Sequence, residues 1–117
     1  MIRWNPDQKR RVATVLRRHP RTSDRCARAA KAILPVALEV DGAAHARVVE
    51  PEGAVYVQPK DLDVRWTHHV TVAVDAHHVD VLTGPPGHDQ TTYLEHFFDE
   101  PESHSIRPVA PDELGKL

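Results

Sequence analysis

His69-Val70-Thr71-Val72-Ala73-Val74-Asp75-Ala76-His77-His78-Val79-Asp80-Val81 is the stretch that decides the fold of this chain. Strand side chains alternate between two faces. Val70, Val72 and Val74 therefore share one face, and His69, Thr71 and Ala73 share the other. A second strand over 78–82 follows closely enough for a hairpin. With an even-numbered loop such as Asp75-Ala76, Val79 and Val81 join the valine face and Asp80 joins the His69 face. Asp80 then stands opposite Thr71 and diagonal to His69, at roughly 7–8 Å between backbones, within side-chain reach. Thr71 and Ala73 are small and leave room for a helix to approach. The same parity sends His68 to the valine side, which favours His69 over His68 as the functional histidine.

Two helices are expected before this hairpin. Asn5-Pro6-Asp7-Gln8 carries a cap, a first-position proline and a residue able to close a capping box. Val12, Val15 and Leu16 follow at helical spacing, and His19-Pro20 ends the helix. Thr22-Ser23-Asp24 offers a second cap, ahead of a run rich in good helix formers from Arg25 to Leu34. Cys26, Ala29, Ala30 and Ile33 share one face of it, and Pro35 is expected to close it. Segments 36–40, 46–49 and 54–58 read as short β runs, separated by turns at Asp41-Gly42 and Pro51-Glu52-Gly53. After the Thr83-Gly84-Pro85-Pro86-Gly87 breaker, Asp89 caps a short helix with Tyr93, Leu94, Phe97 and Phe98. The expected class is α+β, with N-terminal helices packed on a small antiparallel sheet. Residues 1–100 form one domain, and residues 101–117 read as an acidic, proline-bearing tail, mobile or used for docking.

Composition narrows the function. The chain has 117 residues, 40% hydrophobic and 27% charged, enough for one modest core. No apolar run approaches the ~18 residues of a membrane span. The start lacks the apolar core of a signal peptide. The expectation is a soluble protein, cytoplasmic or delivered to a target cell by a secretion system. Residues 1–31 hold ten Lys and Arg against two Asp, and the remainder is strongly acidic. The two halves are expected to neutralise each other. Nucleic acid is an unlikely partner, because no aromatic residues interleave the basic run.

One cysteine excludes an internal disulfide and a four-thiolate zinc site. Cys26 falls in the first turn of its helix, where unpaired backbone N–H groups and the helix dipole favour a thiolate. It also tops the apolar stripe, so it could equally be a small buried hydrophobe. His69 and Asp80 on one face turn the balance toward chemistry. A thiol nucleophile needs a base within reach and a third group to hold the imidazole in one tautomer.

At these residues the chain resembles the papain-fold toxin domains of bacterial polymorphic toxins. The likeness rests on Cys26-Ala27-Arg28-Ala29-Ala30, the His69–Val74 strand, Val79-Asp80-Val81, Leu82-Thr83-Gly84-Pro85 and Tyr93-Leu94-Glu95-His96-Phe97. It covers roughly residues 22–98. The resemblance implies a papain-like core, a Cys26-His69-Asp80 triad, no cofactor, and attack on an amide or acyl carbon of a protein substrate. Proteolysis, glutamine deamidation and transglutamination all fit. An immunity protein is the implied partner. The chain lacks the glutamine that papain places shortly before its cysteine. Gln8, Gln58 or the Cys26 backbone N–H would have to serve the oxyanion.

Two rival readings keep parts of this picture. His68-His69 and His77-His78 across the hairpin could hold zinc or nickel with Cys26 or His45, although adjacent strand histidines point to opposite faces. Alternatively the domain is a non-catalytic binding module with the same fold.

Overall fold

The hairpin forms as its alternation requires. The computed structural model describes residues 1–21 and 25–117. Strand β2 (His69–Val74) turns at Asp75-Ala76 into β3 (His77–Val79), with Val74 opposite His77 and Val72 opposite Val79. Both turn residues have left-handed backbones, φ 49° at Asp75 and 62° at Ala76. That is the turn whose twist matches a right-twisted hairpin. Arg3 clamps it, with Nη2 2.7 Å from Asp75 Oδ1. Alanine is a poor occupant of a left-handed position. Ala76→Gly is therefore expected to stabilise the fold by about 0.5–1 kcal/mol in urea unfolding. No gain, or a loss, would mean that the turn does not hold this backbone.

Helices α1 (Pro6–Arg18) and α2 (Cys26–Val40) precede β1 (His45–Pro51). The Asn5–Gln8 capping box is complete, and His19 ends α1. The expected Thr22-Ser23-Asp24 cap lies outside the described residues. β4 (His88–Asp89), α3 (Tyr93–Phe97), β5 (His104–Val109) and α4 (Pro111–Leu114) complete the chain. The five strands form one antiparallel sheet in the order β4-β3-β2-β1-β5, so the fold is α+β.

The sheet is covered on both faces. Val70, Val72, Val74 and Val79 pack with Val48 against Ala30, Ile33, Val36 and Ala37 of α2, and with Val12 of α1. Each such valine or isoleucine removed from water contributes about 1.5–3 kcal/mol. Val81 is the exception among the five hairpin valines. It packs with Val49, Val57, Trp66, Tyr93 and Phe98, because the chain leaves the sheet in a turn at Asp80. Gly87, at φ 70°, pins the N-terminal arm: a Cβ there would lie 2.7 Å from Ile2 Cδ1 and 3.0 Å from the His78 carbonyl oxygen.

Four expectations are corrected. Pro35 does not close α2, and segment 36–40 is not a strand; the helix runs on to Val40. Proline costs a helix interior about 3 kcal/mol, and burial of Val36 and Ala37 beyond it offsets that. Segment 54–58 is not a strand either. Val57 N–H donates to the Trp66 carbonyl at 2.9 Å, but Val55 and Tyr56 are exposed. Residues 101–117 are not a mobile tail. β5 pairs with β1 from Ala46↔Val109 to Pro51↔His104, and Val109 and Leu114 enter the core. Without β5, β1 would be an open edge. Pro108 is tolerated because β5 is itself an edge strand.

Candidate active site

The sheet opens where the site lies. The β2–β3 ladder ends at Val72–Val79, and beyond it Asp80 enters a turn. His69 and Val70 are thus free of β3 at the start of β2. The first turn of α2 reaches this gap, and Cys26 lines a narrow cavity there with Val70, Val79, Asp80 and Val81. Cys26 is half-buried, whereas His69 is 0% and Asp80 4% exposed.

His69 Nε2 lies 3.2 Å from Asp80 Oδ2. The contact is a close ion pair. Burial disfavours charge on the ring, but the Asp80 carboxylate outweighs it. Cys26 adds to the effect, both as a hydrogen-bonding neighbour and through its charge. The result is a pKa raised to about 9. For Asp80, burial alone would raise the pKa, yet His69 and Tyr93 hold it down at about 2. Both directions describe one buried imidazolium–carboxylate pair.

Asp80 is fixed on every side. Its Oδ1 accepts from Leu82 N–H at 2.8 Å and Thr83 N–H at 3.1 Å. Its Oδ2 accepts from Tyr93 Oη at 2.5 Å. Burial and the adjacent carboxylate push the Tyr93 phenol well above its ordinary pKa, so it remains a donor. Trp66 stacks on His69, with ring centroids 5.1 Å apart and planes at 10°, and Phe98 closes the ring's other approach at 6.1 Å.

The structure therefore brings Cys26, His69 and Asp80 together, by a route unlike the expected one. Helix α2 covers the valine face, and the His69 face is covered by Trp66, Tyr93 and Phe98. At the open end of the sheet Cys26 shares a cavity with Asp80 and lies near enough to His69 to raise its pKa. His68 is half-buried, with Nδ1 3.2 Å from Thr67 Oγ1. Trp66 and Tyr93 are the site residues that sequence reasoning missed. Tyr93 was legible only as an aromatic of a short helix, and Trp66 lay in a stretch assigned to no element.

The oxyanion candidates differ in their engagement. Gln8 is consumed by the capping box and by Glu39. Gln58 is exposed. Among the described residues, no side chain caps α2. The Cys26 backbone N–H thus remains a donor candidate. Among the described residues, no three His, Cys, Asp or Glu side chains group to hold a metal. His77 Nδ1 is 2.6 Å from the Asp75 carbonyl oxygen, and His78 faces Arg47. Among the described residues, no helix is long and apolar enough to cross a membrane. Comparison of the chain with known protein families, with curated proteins and with solved structures found no match.

Proposed function

We propose that this domain is a papain-like thiol hydrolase or acyltransferase acting on amide groups of a protein, with Cys26 as nucleophile, His69 as base and Asp80 as the group that orients it. The observation that carries this reading is a half-buried thiol beside a fully buried His–Asp pair. A buried ion pair is costly to build for stability alone. Beside the molecule's single thiol it has a chemical use.

In the proposed cycle the thiol proton already rests on His69, whose high proton affinity favours an imidazolium–thiolate pair. The thiolate attacks the amide carbon, and the carbonyl electrons move to oxygen. Collapse of that intermediate expels the amine, which leaves with the proton from His69. The remaining thioester is resolved by water or by a second amine, giving hydrolysis or acyl transfer and restoring the thiol. Asp80, held through Tyr93 and two backbone N–H groups, keeps the His69 Nε2 side occupied and leaves Nδ1 for the thiol. The toxin or effector role and an immunity partner rest on the sequence resemblance.

The test uses the single thiol. Iodoacetamide should label Cys26 at pH 6 faster than it labels the same chain in urea, and His69→Ala should slow labelling at least about tenfold. Cys26→Ala should fold with a stability change within about 1 kcal/mol, because alanine suits a helix. It should lose any amidase activity or toxicity. Equal labelling of the native, unfolded and His69→Ala chains would remove Cys26 from catalysis.

A further inference from the structure

On the face of the sheet opposite α2 lies a cavity of about 620 Å³ that shares only Tyr93 with the proposed thiol site. This volume suits a small ligand. Arg47 and His78 form its floor, Tyr93, Leu94 and Ile106 its walls, and the exposed Glu95 and Glu102 stand at its rim.

The floor has donors in excess. A guanidinium has only donors, and Arg47 Nη1 is 3.1 Å from His78 Nε2. His78 Nε2 must therefore accept, which puts the ring proton on Nδ1. His78 is 1% exposed, and its Nδ1 has no partner. Arg47 Nε is likewise buried without one. No carboxylate among the described residues pairs with Arg47. Burial and the nearby guanidinium push His78 down to about 4, so the ring is neutral and Arg47 is the charge. A half-buried cation with no counter-ion, in a cavity with apolar walls, lacks an anionic acceptor.

We propose that this cavity binds a carboxylate carried on a short apolar group, with Arg47 as its counter-ion. The planar guanidinium fork matches a carboxylate. The walls suit an aliphatic body, and the rim glutamates disfavour a multiply charged anion. A free small acid and the C-terminal end of a peptide chain share this chemistry.

The test is an NMR titration of the folded chain with hexanoate, hexanamide, and Ala-Ala-Leu as free acid and as C-terminal amide. Hexanoate should shift the Arg47 Nε–H and His78 resonances with a Kd on the order of 1 mM, and hexanamide should not. Free-acid peptide binding tighter than hexanoate assigns the peptide terminus, and the reverse assigns a small acid. Arg47→Met should abolish the shifts. Arg47→Lys keeps the charge and loses the fork, and should weaken binding about tenfold. It serves where the methionine variant does not fold. Hexanoate and hexanamide binding alike, no binding by hexanoate, or an affinity unchanged in Arg47→Lys would overturn the proposal. None of these readouts depends on the thiol.

Discussion

Asp80→Asn is expected to slow alkylation of Cys26 at pH 6 by about 10- to 300-fold and to lower the pKa of His69, although the substitution changes the side chain by a single group. The reason lies in who surrounds Asp80. Its Oδ1 accepts two backbone N–H groups, from Leu82 and Thr83. In asparagine the carbonyl oxygen must stay on that side, because turning the amide would set its NH₂ against two donors. The NH₂ then faces Tyr93 Oη and His69 Nε2, where the carboxylate now stands. A donor opposite Nε2 moves the ring proton to Nδ1, the nitrogen left for Cys26, and the base is lost. Removing one partner of a buried pair also costs about 3–5 kcal/mol while the other stays charged. His69 reduces that loss by shedding its proton. The checks are iodoacetamide kinetics at pH 6 and the NMR titration of His69. If the asparagine chain retained the native rate and titration, the histidine and the carboxylate would not be coupled.

The same pair sets how stability responds to pH. His69 has a folded pKa of about 9, above its unfolded value, so its contribution is complete below about 6.5 and is lost as pH rises through 9. Asp80 has a folded pKa of about 2, below its unfolded value. Its contribution is complete above roughly pH 4 and is lost as pH falls toward 2. The paired contribution is therefore full between roughly pH 4 and 6.5. In the asparagine chain the alkaline decline from about 6.5 to 9 should be largely absent.

The hairpin could be read from sequence because both of its determinants are local. A two-residue turn fixes register, and register fixes parity, so His69 and Asp80 had to share a face. The helix carrying Cys26 could be read from its composition, but its end could not. Pro35 signals a stop locally, while Ile33, Val36, Ala37 and Val40 continue the helical stripe, and tertiary burial decided between them. Strand β5 was obscured for a similar reason. An edge strand with Arg107 and Pro108 exposed looks like a tail until β1 needs a partner. Where the thiol meets the ring was beyond sequence, since it depends on the point at which the β2–β3 ladder ends. The lining of His69 was hidden too, because Trp66 comes from an irregular segment with no period to betray its direction.

Trp66→Ala should be the most destabilising single change at the site, by about 3–5 kcal/mol in urea unfolding. Trp66 is 5% exposed, and its indole lies nearly parallel to the His69 ring. It also joins Val49, Val57, Tyr93 and Phe98 in the cluster that seals this face of the sheet. A loss of that size is a large part of the 5–15 kcal/mol that holds a typical domain together. The alanine chain is therefore expected to be marginal at 37 °C. Trp66→Phe keeps an aromatic plane over the ring and should cost less, about 1–2 kcal/mol. The phenylalanine chain also separates packing from electrostatics. A smaller ring admits water beside His69, and water screens the Asp80 carboxylate that raises its pKa. The His69 titration should then move back toward its ordinary value, with slower Cys26 alkylation at pH 6. A phenylalanine chain that lost stability yet kept both the native titration and the native alkylation rate would make Trp66 a core residue with no part in tuning the base.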